Sequence, residues 1–381
     1  MTDEKSSFEV MESIRKHIES LKPLLPKQAL VCIGEYPIKI FLKEPFVNQS
    51  DQMLPILLGK SSDDIFTWIP QGFEPYLVLG FEDSNIDTHF WYNVLPYVSQ
   101  DETLIIALKK KPIEKLHSAI MLASTWDGIG SATLPTLTSK FKALNINSLC
   151  VAILPSKIQL ADEYFNTLAS LGMCASSEAA AVVLLDRDLL ENYKGVDRNG
   201  SLINGNTLAK YLVNLLTAKD TLLQEISELS RTFNAKMYSV LLATGASVKI
   251  YGSLENMLNA ILLKPLLTFD LSSASILYVL LRIPTSLKEK LPRGKIELAI
   301  TSWFKEKADL KSIYVTEPVY VEDTNDRIDL ILLVGGFDTT KMVADLDKKV
   351  KSMKNRAVKK GFIKDEDWQA IMKNLEEPKE Q

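Results

Sequence analysis

The stretch that most restricts the fold is residues 119–135, where an apolar run leads into a glycine turn. The run has the composition of a buried strand, and Gly128, Gly130 and Ser131 follow it. A helical pattern begins near Pro135, so the order is strand, glycine turn and helix. Closely spaced glycines let backbone N–H groups approach a ligand, and a helix N-terminus favours an anion. The alternative is an ordinary strand-to-helix turn capped by a serine.

Composition restricts the class of protein further. The chain has 381 residues, 46% of them hydrophobic and 24% charged, which is typical of a globular protein with room for two domains. A net charge of −4 gives no general case for nucleic-acid binding. Cys32, Cys150 and Cys174 lie far apart, form no metal-binding spacing and indicate a reducing compartment. The polar start and the lack of a long apolar run predict a cytoplasmic protein without a secretory signal.

Short apolar runs alternate with helical patterns in the first half, which favours a mostly parallel sheet covered on both faces. The predicted strands are residues 29–33, 76–80, 103–108, 119–123, 148–154 and 180–185, with helices at 137–144 and 161–171. An amphipathic helix at 8–25 precedes them. A long helix at 206–229, which lacks Gly and Pro, follows them.

The second half predicts an α+β domain with a mixed sheet. Residues 237–244 and 254–263 are predicted as helices, with a strand or turn at 248–251 between them. Three strands are predicted at 275–283, 312–321 and 327–334. Polar residues at 323–326 predict a hairpin turn between the last two strands.

In order and spacing these parts resemble the FtsZ/tubulin superfamily, and the resemblance covers most of the chain. The second half carries it in ATGASVKIYG at 243–252, PLL at 265–267, the strand at 276–283 and LLVGGF at 332–337. Residues 126–132 fall where the family has its GGGTGSG phosphate loop. Residues 155–157 resemble the loop after the next strand, 186–188 the ribose-contacting loop and 206–229 the central helix.

The resemblance implies an α/β fold with a Rossmann-like nucleotide domain of the tubulin/FtsZ type, a long central helix and a second α+β domain with a mixed sheet. The implied parts are an N-terminal amphipathic helix at 1–27, a GTPase-like domain at 28–205, the central helix at 206–229, an FtsZ-like C-terminal domain at 230–338 and a basic helical tail at 339–381. Family members bind GTP between subunits and polymerise head to tail. The residues implied to contact GTP or GDP are Gly128, Gly130, Ser131, Ser156, Asp186 and Arg187. No metal site is implied.

Both phosphate loops depart from the family pattern, so the resemblance implies that any nucleotide is bound weakly. The first loop keeps one glycine, Gly34, followed by Glu35 and, two residues later, by a proline without an N–H. In the main loop Trp126 and Asp127 replace the first two glycines. Two carboxylates near one triphosphate oppose its binding unless a metal or Lys157 offsets them.

The loop that supplies hydrolytic carboxylates in the family departs as well. The family's pattern, NLDFADV, aligns with SRTFNAK at 230–236, where Thr232 and Ala235 stand in place of the acids. In the family those acids position and polarise water. The resemblance therefore implies negligible GTP hydrolysis, and we assign no catalytic residue. The base-reading acid or Asn of the central helix is replaced by Lys210 or Tyr211.

The tail lies beyond the resemblance and predicts a basic amphipathic helix that ends at Gly361, with a shorter helix at 365–375. Its apolar stripe consists of Met342, Leu346, Val350, Met353 and Ala357. Many lysines surround the stripe. Such a helix contacts an anionic membrane surface or an acidic partner. The alternative is that it packs on its own domain and leaves its charged face in solvent.

Three functions are compatible with these features. The leading hypothesis is a cytoskeletal or scaffold subunit that associates head to tail with itself or a related FtsZ/tubulin-like subunit, with weak or absent GTP hydrolysis, in cell division or membrane remodelling. The second is an active divergent GTPase with substitute residues, and the third is a monomeric binding module that reuses the fold. The expected location is the cytoplasm, either free or peripheral to the membrane.

Overall fold

A large sheet with helices on both faces forms the centre of the molecule. The computed structural model describes residues 27–43, 53–81, 86–102, 106, 116–176, 181–219, 221–323 and 325–375. The strands in these ranges are β1 Lys27–Ile33, β2 Met53–Gly59, β3 Leu77–Gly80, β4 Leu116–Ser124, β5 Asn147–Leu154, β6 Ala181–Asp186, β7 Lys194–Val196, β8 Leu202–Asn204, β9 Met237–Ser247, β10 Ile276–Pro284, β11 Ser312–Val315, β12 Val319–Val321 and β13 Arg327–Gly335.

Within the described ranges, eleven strands form one continuous sheet in the order β11-β10-β13-β9-β6-β5-β4-β1-β2-β3, with β12 also on β10. Neighbours are parallel except that β13 is antiparallel to both β10 and β9. Strands β7 and β8 form a separate antiparallel pair. The parallel part and the mixed part confirm the predicted α/β fold class. The pairing of β6 with β9 joins the sheets of the two predicted domains.

The helices form two layers on this sheet. They are α1 Glu35–Leu42, α2 Ser62–Trp68, α3 Trp91–Gln100, α4 Gly128–Ala143, α5 Ala161–Ser176, α6 Arg187–Glu191, α7 Gly205–Leu216, α8 Leu222–Phe233, α9 Val248–Tyr251, α10 Leu254–Ile261, α11 Arg293–Lys305, α12 Thr340–Lys359 and α13 Asp365–Leu375. One core contains α3, α4, α5 and α10 to α13, and the other contains α1, α2 and α6 to α8. Alternate strand residues supply the two cores, for example Val31 to one and Cys32 to the other.

The predicted continuous helix at 206–229 is wrong, because α7 and α8 are separated by residues 217–221. The sequence does contain a sign of this break, since TAKDT at 217–221 has no large apolar residue. Side-chain contacts hold the break in place: Lys219 and Thr221 both donate to the Glu225 carboxylate, at 2.5 and 2.8 Å, and the Tyr278 hydroxyl of β10 donates to it at 2.7 Å. Side-chain contacts thus compete with the helical hydrogen bonds that periodicity predicts.

Helix α4 begins earlier than predicted, at Gly128 instead of near Pro135. Pro135 lies inside the helix, where it has no N–H to offer the carbonyl one turn earlier. The side chain of Asp127 accepts a hydrogen bond from the backbone of the first turn. A cap at this position, and not the proline, therefore determines where the helix starts.

Two strands were misread from the sequence. Residues 237–244, predicted as a helix, belong to β9, and residues 53–59 form β2, where no strand was predicted. Both strands are buried almost throughout, so they lack the alternation by which a half-buried strand is recognised. Strand β2 also contains Pro55, which is unusual inside a sheet and here pairs in register with Leu30.

The predicted strand at 312–321 is two short strands, β11 and β12, which both pair in parallel with β10. The predicted hairpin at 323–326 is wrong, because β13 pairs with β10 on its other side and with β9. Between β12 and β13 the chain therefore passes from one side of β10 to the other. Residues 248–251, predicted as a strand or turn, form the short helix α9, which Ser247 caps.

Two predictions concern residues outside the described ranges. They are the helix at 8–25 and the strand at 103–108, of which only Ile106 is described. The Ile106 N–H donates to the Glu102 carbonyl at 2.8 Å in a helical pattern, and its side chain is exposed. That residue does not fit a buried strand. Among the described helices, none has the length and hydropathy needed to cross a bilayer.

The predicted tail helices are confirmed as α12 and α13, and their apolar sides pack on α5 of the first half. Trp368 stacks on Phe165 with a ring-centroid distance of 4.8 Å. Gly172 lies so close to Ile371 that an added Cβ would be 2.4 Å from its atoms. The chain itself thus covers the apolar side of the tail, as the alternative of packing within the chain predicts, although α5 belongs to the first half and not to the domain that precedes the tail.

A buried ionic network joins α7 to β10 and β13. The Arg282 guanidinium donates to the Asp329 carboxylate at 2.8 Å and to the Tyr211 hydroxyl at 3.0 Å. It also donates to the Asn214 amide oxygen at 3.0 Å. The second oxygen of Asp329 accepts from Tyr211 and from the Gly245 N–H, both at 2.8 Å. Asp329 is 1% exposed, so its charge depends on these partners.

Replacing Arg282 with Met should lower the free energy of unfolding by about 3–5 kcal/mol, because it leaves the Asp329 carboxylate buried without its cation. Glu35→Gln, which removes the exposed ion pair with Lys39, should change it by less than about 1 kcal/mol. Urea unfolding followed by circular dichroism measures both values. Similar effects for the two variants would contradict the importance of the network.

Candidate functional site

The candidate site lies at the edge of the sheet where β1, β4, β5 and β6 end. These strands are parallel neighbours, so the loops that follow them meet at one edge. In open α/β sheets such an edge is where ligands bind. The six residues predicted to contact nucleotide lie at the ends of β4, β5 and β6, and the structure brings their loops to this edge.

The half-buried carboxyl group of Asp127 occupies the N-terminus of α4. Its Oδ1 accepts from the Gly130 N–H at 2.6 Å, and its Oδ2 accepts from the Ser124 hydroxyl. Ser131 is turned inward as well, since its hydroxyl donates to the Asp127 carbonyl at 2.6 Å. The position that would favour an anionic ligand therefore already holds a carboxyl group of the chain itself.

The glycines of this loop are in contact with protein backbone. A Cβ at Gly130 would lie 1.8 Å from the Ser124 carbonyl oxygen, and one at Gly128 would lie 2.4 Å from the Thr88 carbonyl oxygen. The Gly128 N–H donates to that same Thr88 oxygen at 3.1 Å. Packing alone thus accounts for glycine at both positions. Contact of these residues with a nucleotide stays a prediction.

Asn166 of α5 holds two loops over this turn. Its side-chain amide donates to the carbonyls of His89 and Trp126, at 2.8 and 2.9 Å, and its oxygen accepts from the Trp91 N–H at 3.0 Å. The His89 ring also pairs with the Asp162 carboxylate. Asn166 is fully buried, so these bonds fix the segment before α3 against the loop after β4.

An aromatic and ionic cluster closes the other side of the site. The rings of Tyr36 and Trp126 meet edge to face with centroids 5.1 Å apart, and the Arg187 guanidinium lies 4.6 and 5.1 Å from them. Glu191 accepts from both Arg187 Nε at 2.8 Å and the Tyr36 hydroxyl at 2.9 Å. Burial, followed by the bond to Glu191, raises the pKa of Tyr36. Arg187 thus connects α6 to α1 and to the loop after β4.

The remaining predicted residues also have partners within the chain. The Ser156 N–H donates to Gln159 at 2.6 Å, and its carbonyl accepts from the Tyr164 hydroxyl at 2.9 Å. The Asp186 carboxylate caps the short helix α6. Glu35, expected to repel a phosphate, is exposed and pairs with Lys39 one turn along α1. Asp127 is therefore the acid that bears directly on the phosphate position.

The segment aligned with the family's hydrolytic loop, 230–236, is helical in its first part and forms a short turn in its second. It comprises the last turn of α8, the left-handed residue Asn234 with φ of 51°, and the approach to β9. Ala235 is buried, and the Lys236 ammonium donates to the Ala175 carbonyl. The break at 217–221 is a second candidate for the loop after the central helix. It contains Asp220, which lies outside the described residues.

The sequence interpretation missed the structural roles of Asp127, Tyr36, Asn166 and Glu191. For Asp127 a signal was present, because Asp is one of the residues preferred immediately before a helix. There its side chain accepts a hydrogen bond from a backbone N–H of the first turn. The other three act between distant parts of the chain, and no local pattern marks them. Among the described residues, no group of three or more His, Cys, Asp or Glu side chains could hold a metal ion.

No model of a protein family matches the sequence, and no curated protein matches it either. Solved structures do match. CetZ2 from Haloferax volcanii, in a GTPγS-bound protofilament, is 17% identical with a TM-score of 0.67, covering 87% of this chain and 99% of its own. CetZ from Methanosaeta thermophila is 13% identical with a TM-score of 0.66, covering 92% and 97%. An empty FtsZ dimer from M. jannaschii is 12% identical with a TM-score of 0.59, covering 86% and 93%.

These similarities extend over nearly the whole length of each neighbour, so they concern the complete architecture and not one subdomain. At this level of identity they show the fold. The chain has the FtsZ/tubulin fold, as the motifs in its second half predicted. At the first turn of α4 the N–H groups of Gly128 and Gly130 are already bonded within the chain, to the Thr88 carbonyl and to the Asp127 carboxyl group.

The burial of Asp127 raises the pKa of its carboxyl group above the ordinary 3.8, although bonds from Gly130 and Ser124 lower it in part. The native state then keeps this proton at pH values where the unfolded chain has lost it. The free energy of unfolding, relative to that of Asp127→Asn, should therefore fall as the pH rises from about 4 and level off above the native pKa. Urea unfolding of both proteins between pH 4 and 8 measures this. A difference that stays constant or grows with pH would contradict it.

Proposed function

We propose that this protein is a cytoskeletal or scaffold subunit of the FtsZ/tubulin type that associates through its two ends and does not require bound nucleotide to do so. The observation that carries the proposal is the Asp127 carboxyl group at the N-terminus of α4. A helix N-terminus leaves N–H groups that need acceptors, and a bound phosphate can provide them. Here the chain provides the acceptor, so the site is complete without a ligand.

Hydrolysis is expected to be negligible. Thr232 is exposed at the end of α8 and Ala235 is buried, so neither offers a carboxylate to a neighbouring subunit. Phosphate release from GTP by the purified protein should remain at background. Turnover near about 1 per second, as in an ordinary enzyme, would instead identify an active divergent GTPase, with Asp220 as the first residue to test.

The end of the molecule that carries the candidate site has an exposed apolar loop. Ile158 and Leu160, which follow β5, are 91% and 72% exposed. Two neighbouring large apolar side chains in solvent favour an interaction surface. The opposite end has a polar cavity of about 690 Å³ lined by residues including Lys142, Arg231 and Lys236. One end thus presents an exposed apolar loop, and the other presents a polar cavity that contains Glu228 as well as cations; these two surfaces support docking through both ends.

A role in cell division or membrane remodelling is the finer part of this proposal. The tail packs its apolar side on α5, so a membrane contact would rest on its exposed lysines alone, such as Lys348 and Lys351. Lysines near an anionic surface contribute about 1 kcal/mol each. Membrane attachment through this face stays a prediction.

Ile158→Asp combined with Leu160→Asp should weaken self-association about tenfold or more, because the new carboxylates would be desolvated at an apolar contact. Leu298→Asp, at an exposed position on α11 in the second half, is the matched control and should not change it. Sedimentation velocity over a range of concentrations, with and without GTP, measures association. A strictly monomeric parent that also leaves the filaments of a co-expressed active relative unchanged would favour a binding module.

GTP binding should be weak in the parent and at least about tenfold tighter in Asp127→Gly. The substitution removes a half-buried acid and frees the Gly130 N–H for a phosphate. Glu35→Gln removes a charge at the same edge without changing the cap, so it should bind GTP like the parent. Isothermal titration calorimetry measures all three proteins. Tight binding by the parent would overturn the assignment of Asp127.

A further inference from the structure

A second cavity lies where three parts of the chain meet. It has a volume of about 660 Å³ and is bounded by the loop after β5, by residues 267–270 of the second half and by α12. Its lining belongs to the core on the sheet face opposite α7. Pockets for small molecules typically have volumes of about 300–1,000 Å³. The size of this cavity is thus that of a ligand site.

The walls of the cavity are apolar and partly aromatic. They include Tyr164, Phe269, Phe337 and Leu346. Phe269 and Phe337 lie with their ring centroids 4.8 Å apart at an angle of 44°, and Phe337 is buried. Aromatic walls give large contact areas to flat apolar groups. The interior therefore favours a ligand with a planar or otherwise extended apolar portion.

The carboxylates at the rim are engaged by the chain itself. Asp186 caps α6, and Asp270 accepts from the Ser272 N–H at 3.0 Å and from its hydroxyl at 2.7 Å. Asp338 accepts from the Thr340 N–H at 2.8 Å. Asp345 lies 3.5 Å from Lys348, on the same helix. Each of these acids thus has a structural partner, which reduces its availability to a ligand.

The cations at the rim are less engaged. The Lys349 ammonium lies 4.0 Å from the centroid of the Tyr164 ring, at the mouth of the cavity. Lys157 and Lys341 are exposed, and within the described residues neither ammonium group forms a hydrogen bond or ion pair. The charge of Lys157 does act on the nearby Asp188. Lys157 and Lys341 thus lie at the lining without a partner for their ammonium groups in the described part of the chain, whereas each acid of the lining accepts hydrogen bonds within the chain or, for Asp345, pairs with Lys348.

We propose that this cavity binds an amphipathic organic anion, whose apolar portion lies against Tyr164, Phe269 and Phe337 and whose anionic group meets Lys157 and Lys341. A free nucleotide and a fatty acid both have this chemistry. The ligand would contact the first half, the second half and α12 at once, and so would stabilise their arrangement. The cavity shares the loop after β5 and Asp186 with the edge that carries the candidate site, but its lining does not include the glycine turn at 128–131. The proposal does not depend on the function proposed above.

The test uses the full chain and 8-anilinonaphthalene-1-sulfonate, a flat apolar anion that fluoresces when bound. The parent should bind it saturably, and Lys157→Glu combined with Lys341→Glu should weaken binding about tenfold or more, since two charge-assisted contacts become repulsive. Lys351→Glu with Lys359→Glu is the control, because it makes the same charge change at exposed positions outside the cavity. Thr268→Trp, at an exposed wall position, should block binding by filling the space.

Competition identifies the source of the ligand. Displacement of the probe by GTP from the parent but not from the lysine variant would identify a nucleotide site, and the same pattern with oleate would identify a fatty-acid site. Circular dichroism confirms that each variant is folded. The proposal is overturned if the parent does not bind the probe, if the control variant loses binding as much as the lysine variant, or if Thr268→Trp binds like the parent.

Discussion

The cap that Asp127 forms at the first turn of α4 is the interaction on which the surrounding structure depends. A helix that starts at the end of a buried strand leaves N–H groups where water is excluded, so they need acceptors. The Asp127 carboxyl group provides one for Gly130, and Ser124 completes its hydrogen bonding. Gly34 must remain a glycine beside it, since a Cβ there would lie 2.9 Å from the Asp127 carboxylate. The loops after β1 and β4 therefore fix each other.

Neighbours with this fold bind a nucleotide, whereas in this chain the turn before α4 is held by contacts within the chain. The solved CetZ2 and CetZ1 structures contain GTPγS and GDP. In this chain the contacts around the same turn run from α1 to α6 through Tyr36, Trp126 and Arg187, and they hold the loops together without a ligand. The Asp127 carboxyl group is part of the chain, so this cap does not leave as a bound ligand can.

The two halves of the chain are connected at three separate places. Strand β6 pairs with β9 in one continuous sheet, and the network of Arg282 and Asp329 attaches α7 to β10 and β13. On the opposite face, α12 and α13 return from the second half to pack on α5. A rotation of one half against the other would break the hydrogen bonds of Arg282 and Asp329 to α7 and would also separate apolar surfaces. The contacts that join the two halves are therefore part of the folded core. The cavity beside α12 lies among these contacts.

The sequence alone determined the class of fold, because strands that are buried on both faces of a parallel sheet appear as short, nearly continuous apolar runs. The strands at 148–154 and 180–185, the tail helices and the motif order in the second half were all predictable, since local periodicity and spacing carry that information. Strands β2 and β9 were not, because complete burial removes alternation, and Pro55 argued against a strand that the sheet tolerates.

The candidate site shows the same division between local and tertiary information. That the loop after β4 departs from the family was visible in Trp126 and Asp127, and so was the loss of acids at 230–236. Tertiary structure decided what these residues do instead. Asp127 caps a helix. Arg187 contacts the ring of Tyr36, which lies more than 150 positions earlier in the chain. Lys219 bonds to Glu225 where the predicted central helix is interrupted. The contact of Arg187 with Tyr36, and the bonds of Lys219 to Thr316 and of Glu225 to Tyr278, join groups that are distant in sequence, and only folding brings them within bonding distance.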